Sequence, residues 1–144
     1  MRLWIIFSAA LVVLTLGCDS KSQGNSSSEN RHKLRSGFEE KVHSSSSEAG
    51  FESKVMRRYL YYNDGLVHGP VGYYDISPSG HNVIYQDAVS GRLYVFAVHG
   101  KRISPLGDKF IGNPRACEWN EGKGSVSVEI SVTNEKHVFA IDNN

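Results

Sequence analysis

The chain opens with a short apolar segment that ends at a cysteine. Arg2 supplies a positive charge, and only two of the fourteen residues from Leu3 to Leu16 are polar. A helix that crosses a bilayer needs roughly 20 apolar residues, so this segment is too short to span comfortably. A charged start, a short apolar run and a small residue before polar sequence are typical of a secretory signal peptide. The pattern predicts export, with residues 1–17 removed ahead of Cys18.

The next segment is polar and rich in serine. Residues 18–50 contain ten serines and few apolar side chains. Such a sequence buries too little apolar surface to offset the entropy lost on ordering, so we predict a flexible linker over this range. Leu34, Phe38 and Val42 recur every four residues, which leaves a second interpretation open. They would form one face of a short amphipathic helix, although an isolated helix of that length is marginal.

Residues 51–144 have the pattern of a β domain. Aromatic and β-branched residues dominate, and turn signals such as Asn63-Asp64-Gly65 recur about every ten residues. The fold class predicted is all-β, a small antiparallel meander or sandwich of about seven to eight strands. The strands predicted are Arg57–Tyr62, Val71–Ser77, Asn82–Gln86, Arg92–His99, Arg115–Asn120, Ser125–Val132 and Lys136–Ile141.

This domain contains an internal repeat with a period of 43 residues. Residues 74–98 align with residues 117–141 without a gap, and the turns of the two segments coincide. A shared Val-Phe-Ala-aliphatic block, Val95–Val98 and Val138–Ile141, closes both units. A period of about 40–45 residues is typical of β-propeller blades. We therefore predict two blade-like repeats, fewer than the roughly four to eight blades that close a propeller.

The last strand of each unit is apolar on both faces, so each needs cover on two sides. Two stacked sheets would supply that cover within the chain. A second copy of the chain or another partner would supply it equally well, and unpaired strand edges invite such pairing.

All seven tyrosines fall in predicted strands, so strand alternation decides which way each one faces. Tyr59 and Tyr61 share one face, opposite Leu60 and Tyr62. We identify Tyr59, Tyr61 and Tyr73 as the candidate binding surface, because tyrosine supplies rigid contact area with a polar tip. The alternative is cross-strand aromatic pairing that only stabilises the sheet.

Charge and potential ligand residues argue against several function classes. The chain has 16 basic and 15 acidic residues, and removal of residues 1–17 takes away Arg2, leaving a net charge near zero. That balance argues against nucleic-acid binding. Cys117 has no disulfide partner if Cys18 is modified, and we predict that it is a buried structural thiol. The six histidines lack the spacing of a metal pair, and we predict no metal, no cofactor and no catalysis.

Residues Gly17-Cys18-Asp19 resemble the end of a bacterial lipoprotein signal. In that family a small residue precedes a cysteine whose thiol is acylated and which becomes the new N-terminus. Thr15 and Leu16 depart from the usual pattern. The resemblance implies a palmitate-type lipid anchor on Cys18 and a place in the cell envelope, on the periplasmic side. Asp19 favours the outer face of the inner membrane, with the outer membrane as the alternative, and ordinary cleavage near Gly17 would instead give a soluble exported protein.

Residues Ile76–Tyr85 and Ser90–Val95 resemble the Ser-Pro-Asp-Gly blade motif of TolB-like β-propellers. In that motif Pro and Gly form a turn that leads into an aliphatic strand, and a second turn leads into a Leu-Tyr-Val strand. Here Ser79 stands where the family usually has Asp, and the second repeat lacks Ser-Pro. The resemblance implies a blade-like fold and transfers no catalytic residue.

The sequence thus predicts a non-catalytic β domain tethered to a membrane. Its expected role is to bind a protein or another envelope component. The alternative is an assembly subunit whose strand edges pair with copies of itself or with a partner.

Overall fold

The computed structural model describes residues 28–45 and 55–141, which form eleven strands in three antiparallel sheets. The predicted all-β antiparallel class is confirmed, with more strands than the sequence indicated. Sheet 1 contains β1 (Ser28–Lys33), β2 (Phe38–Ser45), β3 (Val55–Tyr62) and β4 (Gly65–His68). Sheet 2 contains β5 (Val71–Ile76), β6 (Asn82–Asp87), β7 (Leu93–Ala97) and β8 (Arg102–Leu106). Sheet 3 contains β9 (Pro114–Asn120), β10 (Ser125–Ile130) and β11 (Lys136–Ala140), and short 3-10 helices span His99–Lys101 and Glu121–Lys123.

Each sheet is a meander in which consecutive strands are neighbours. The first three strands of sheet 2 begin at residues 71, 82 and 93, and those of sheet 3 begin 43 residues later in each case. Ser28, which begins β1, lies the same distance before the start of sheet 2. β2 begins at residue 38, one residue from this period, but β3 begins at residue 55 instead of 50, so the period extends only to the first two strands of sheet 1.

The predicted linker over residues 18–50 is wrong for residues 28–45. These residues form β1 and β2, and β2 pairs along its whole length with β3. Phe38 is 1% exposed and Val42 is also buried, so this hairpin supplies part of the core. The β domain therefore includes residues before the predicted start at 51. The remainder of the predicted linker lies outside the described residues, as do Cys18 and the signal segment.

The helix predicted as the alternative for this segment is also wrong. Side chains spaced by four residues share a face in a helix, but they also share a face in a strand, where the period is two. Phe38 and Val42 lie in β2 with the intervening Glu40 on the same face, and Leu34 packs against the core from the turn before it. Backbone hydrogen bonds to β1 and β3 decide in favour of the strand.

Sheet 2 is the middle layer, with an apolar core on each side. Val83 and Ile84 are adjacent in β6 and point to opposite faces, and both are fully buried. Val83 belongs to the core shared with sheet 1, which includes Phe38 and Leu60. Ile84 belongs to the core shared with sheet 3, which includes Val128. Sheets 1 and 3 therefore pack on opposite faces of sheet 2.

We predicted that the last strand of each repeat is covered on both faces. This prediction is confirmed for β7 and is wrong for β11. In β7, Val95 and Phe96 face opposite sides and both are buried. In β11, Phe139 packs partly against the core, whereas Val138 is 71% exposed. The outer faces of sheets 1 and 3 are consequently the two uncovered sheet faces among the described residues.

Candidate functional site

The outer face of sheet 1 brings two of the predicted tyrosines together with basic side chains that the sequence analysis did not include. In the strand register, Tyr59 lies opposite Lys41 and Lys41 lies opposite Arg31, so all three project from the same side. His43 and Tyr61 follow two positions along their strands and share that side. We call the surface formed by Arg31, Lys41, His43, Tyr59 and Tyr61 the aromatic–basic face.

Two contacts hold the side chains of this face in place, one between two rings and one between a lysine and a ring. The His43 ring meets the edge of the Tyr59 ring, with centroids 4.9 Å apart and planes at 77°. The Lys41 ammonium lies 4.3 Å from the centroid of the Tyr61 ring, within the range of a cation–π interaction. The Tyr59 ring also lies directly against Gly69, where a side chain would clash with it. Both tyrosines are half-buried, so their rings are held in place while part of their surface meets solvent.

The aromatic–basic face carries an excess of positive charge although the whole chain is nearly neutral. The Arg31 guanidinium lies 3.4 Å from the Glu39 carboxylate and 3.8 Å from the Asp64 carboxylate. The basic side chains that the register places on this side are Arg31, Lys33, Lys41 and Arg57. The register also places Glu29, opposite His43, on this side, so four cations accompany three acidic residues, Glu29, Glu39 and Asp64. The excess of one positive charge favours an acidic partner surface.

Sequence reasoning missed the basic half of this surface because it assigned β2 to a linker. The available signal was the alternation in Phe38–Ser45. Phe38 and Val42 lie on the core side, while Lys41 and His43 fall on the opposite side.

Tyr73, the third tyrosine of the candidate surface, lies elsewhere. It projects from β5 towards sheet 3, where it meets the Cys117 thiol. Burial, the contact with Cys117 and the nearby Asp75 carboxylate raise the pKa of Tyr73 well above its usual value. The structure therefore brings Tyr59 and Tyr61 together and places Tyr73 in a packing role between sheets 2 and 3.

Cys117 is half-buried in the layer between sheets 2 and 3. Burial raises the pKa of its thiol to about 11, against a hydrogen bond with Tyr73 that favours the thiolate. A thiol of that pKa is almost entirely protonated at neutral pH, and a protonated thiol is a poor nucleophile. Close by, the Trp119 indole donates a 2.5 Å hydrogen bond to Asp75, which ties sheet 3 to sheet 2.

The Ser-Pro-Ser-Gly turn between β5 and β6 is also tied to sheet 3. The Glu121 carboxylate accepts hydrogen bonds from the Ser79 hydroxyl and from the Ser79 backbone N–H at 3.3 Å. These bonds lower the pKa of Glu121. The Ser79 oxygen accepts in turn from the His81 backbone N–H at 3.2 Å. Because the Ser79 hydroxyl both donates and accepts a hydrogen bond, we assign this cluster a role in joining the β5–β6 turn to sheet 3.

Asp87 organises the turn between β6 and β7. Its carboxylate accepts from the backbone N–H groups of Val89 and Ser90 at 3.1 and 3.2 Å, and from the Ser90 hydroxyl at 2.5 Å. The His68 Nε2 atom lies 3.3 Å away, on a ring stacked against Tyr85. Burial opposes ionisation, but the hydrogen bonds together lower the pKa of Asp87 to about 2.

We expect this carboxylate to make the fold sensitive to acid. Its pKa is lower in the folded chain than the unfolded value of 3.8, so ionised Asp87 stabilises the fold above about pH 4. That contribution, about 1–2 kcal/mol after solvent screening, is lost as the pH falls towards 2. Urea unfolding from pH 6 to pH 2 should show the full loss in the wild type and in Asp108→Asn, an exposed control, and a loss smaller by about this amount in Asp87→Asn, where Glu121 still contributes. An equal loss in Asp87→Asn would assign the acid sensitivity to other groups.

The part of the chain that the structure describes contains neither a cluster of metal ligands nor a helix that could span a membrane. Over residues 28–45 and 55–141, no group of three His, Cys, Asp or Glu side chains is placed to hold a metal ion. Within the same ranges, no helix has the length and apolar character needed to cross a bilayer. The aromatic–basic face is the candidate site because it gathers ordered rings and charges on one uncovered sheet face, a surface suited to recognition.

No protein-family model matches the sequence, and no curated protein matches it significantly.

Proposed function

We propose that this chain is an exported, lipid-anchored protein whose β domain binds a protein partner through the aromatic–basic face, without catalysis. The observation that carries the proposal is the meeting of Tyr59 and Tyr61 with Lys41 and Arg31 on one uncovered sheet face. Tyrosine and arginine are enriched at protein–protein interfaces, where aromatic rings supply contact area and arginine supplies directed hydrogen bonds. The contacts that hold both rings reduce the entropy lost on binding.

The location rests on the N-terminal sequence. The apolar segment before Cys18 is too short to span a bilayer comfortably and leads into a cysteine that resembles that of a lipoprotein signal. Each buried methylene of an acyl chain contributes about 0.8 kcal/mol, and two or more chains anchor a protein stably. A tethered domain needs no transmembrane helix of its own.

The binding proposal is tested by site-specific crosslinking in cells. A photoreactive amino acid replaces Tyr61 in the full-length chain, and a control carries it at Val89, an exposed turn position of sheet 2. We expect a discrete crosslinked species at position 61, absent at position 89 and lost when Lys41→Glu reverses the local charge. Equal labelling at both positions, or none at either, would refute a specific interface on this face.

The anchor is tested by Cys18→Ser. The wild-type protein should carry a lipid-sized mass increment and fractionate with membranes, because the acyl chains hold it there. The serine variant should lack that increment. A wild type that is soluble, unmodified and cleaved near Gly17 would instead make this an exported soluble binding protein.

A further inference from the structure

The backbone hydrogen bonds of the β6–β7 hairpin recur 43 residues later in the β10–β11 hairpin. Each hairpin is bracketed by two bonds from an N–H to a carbonyl, with lengths between 2.7 and 3.0 Å. The donors, each with its acceptor, are Val98 with His81 and Asp87 with Arg92 in the first hairpin, and Ile141 with Gly124 and Ile130 with Glu135 in the second. β11 is therefore the counterpart of β7, with the same alternation of bonded residues.

The two strands differ in what lies on their other side. In an antiparallel ladder, a residue that bonds to one neighbouring strand directs both its N–H and its C=O there, and the residues between direct theirs the opposite way. In β7 the residues that face away from β6 pair in register with β8. Their counterparts in β11 face away from β10 and are Lys136, Val138 and Ala140. Among the strands that the structure describes, none lies along that side of β11.

This free edge of β11 lacks the features that discourage pairing at the other sheet edges. Native proteins protect edge strands by charge, proline, bulges or short length. β1 alternates charged residues, β8 and β9 contain proline, β4 has only four residues, and β5 pairs with a register shift. After Lys136, β11 continues as His-Val-Phe-Ala, and its Val138 side chain is 71% exposed. β11 is thus the described edge most open to another strand.

A groove in sheet 2 lies beside the same edge. Sheet 3 is placed so that β9 lies beside β5, where Trp119 bonds to Asp75, and β8 consequently extends past β11. The lining of the groove includes Leu106 of β8 together with Ala140 and Ile141 at the end of β11, and polar residues of β8 complete it. Its volume, about 120 Å³, is less than the roughly 150 Å³ of a cavity that holds benzene, so the groove takes one aliphatic side chain.

We propose that an extended segment of another protein pairs with the outer edge of β11 as a fourth strand of sheet 3 and places one aliphatic side chain in this groove. In strand addition of this kind, main-chain hydrogen bonds supply affinity, and pockets for alternate side chains supply specificity. β8 has the same arrangement one layer away, since it occupies the equivalent position beside β7. The site lies on sheet 3, so it is a second binding site, distinct from the aromatic–basic face of sheet 1.

The geometry favours a separate partner over another part of this chain or a second copy. Two copies paired antiparallel through β11 would be related by a twofold axis perpendicular to the sheet. Because β8 of each copy extends past β11, the two middle layers would occupy the same space beneath the shared edge. Residues 142–144 are too few to turn and run back along a five-residue strand, and residues 19–27 contain no apolar side chain. Residues 46–54 connect β2 to β3 in sheet 1, on the far side of sheet 2.

The test is binding of a fluorescein-labelled peptide to the full-length, processed protein in detergent solution, followed by fluorescence anisotropy. The peptide has the sequence of residues 101–107, which contain β8, and its Ile103 lies on the side of β8 that corresponds to the groove side of the added strand. We expect saturable binding to the wild type. Val138→Pro removes an N–H that faces away from β10, where a strand tolerates proline, and should raise the dissociation constant about tenfold, as for one lost hydrogen bond. Val138→Thr keeps that N–H and should bind as the wild type does.

A change in the peptide separates a lost contact from a lost fold. Ser104 of β8 pairs with Val95, the counterpart of Val138, so Ser104→Pro in the peptide removes the matching donor and leaves the protein untouched. This peptide should not bind. An unchanged peptide that fails to saturate the protein, or one whose binding Val138→Pro leaves unaltered, would overturn the site.

Light scattering and crosslinking distinguish the remaining outcomes. A wild type with the mass of two copies that falls to one copy in Val138→Pro would make a second copy the occupant and overturn the separate partner. Crosslinking from position 61 reports on the aromatic–basic face alone and should be the same in Val138→Pro. Either binding site can therefore fail without the other.

Discussion

Phe38→Ala should lower the free energy of unfolding by about 3–5 kcal/mol, the usual cost of removing a large aromatic side chain from a core. Phe38 is 1% exposed. Its ring lies 4.9 Å from the Tyr62 ring and 6.2 Å, edge-on, from the Phe96 ring of sheet 2. Removing it leaves a void where sheets 1 and 2 meet. Because small domains are stable by only about 5–15 kcal/mol, a loss of this size is easily measured.

Urea unfolding followed by circular dichroism and by Trp119 fluorescence measures this effect. Trp119 lies in sheet 3, so coincident transitions from the two probes would show that the three sheets unfold together. Phe110→Ala is the matched control, since that ring is 54% exposed and its removal should cost less than 1 kcal/mol. If Phe38→Ala proves as mild as the control, residues 28–45 contribute no core, and the segment is the flexible linker that its composition suggested.

Most strands of sheets 2 and 3 could be predicted from the sequence because their patterns of apolar and polar residues are strong. The predicted strands Asn82–Gln86 and Ser125–Val132 differ from β6 and β10 only at their ends. In β10, valine and isoleucine alternate with polar residues, which is the pattern of a sheet with one covered face. In β6 the apolar run is continuous, as expected for the middle layer.

The missed strands have weak local signals. β1 and β2 are mostly polar, and their stability comes from pairing and from a few core contacts such as Phe38. β4 has only four residues. β8 lies at the edge of sheet 2 and contains Pro105, which cannot donate to a ladder and so argues against a strand unless the strand is at an edge.

The candidate surface was only partly predictable, because one of its strands has a clear sequence pattern and another does not. Alternation correctly placed Tyr59 and Tyr61 on one side of β3, since that inference needs only the strand. It did not show that Tyr73 faces Cys117, because the order in which sheets stack is a tertiary property. Nor did it find Lys41, whose place depends on β2 pairing with β3.

The second large effect concerns the junction of sheets 2 and 3. Ile84→Ala should lower the free energy of unfolding by about 2–5 kcal/mol, because Ile84 is 0% exposed within the core shared with sheet 3. Ile103→Ala is the matched control on the same sheet. Its side chain is 46% exposed on edge strand β8, and its loss should cost about 1 kcal/mol or less.

The comparison of Ile84→Ala with Phe38→Ala tests whether the two cores act as one. Ile84 and Val83 are neighbours in β6 that point into different cores, so a backbone shift caused in one core is felt directly in the other. If the cores are coupled, the double variant should differ from the sum of the single losses by more than the roughly 0.3–0.5 kcal/mol found for independent sites. Strict additivity would mean that the two cores do not interact. A Trp119 transition that precedes the loss of circular dichroism would mean that sheet 3 unfolds on its own. A sheet 3 that opens independently would leave the aromatic–basic face of sheet 1 intact.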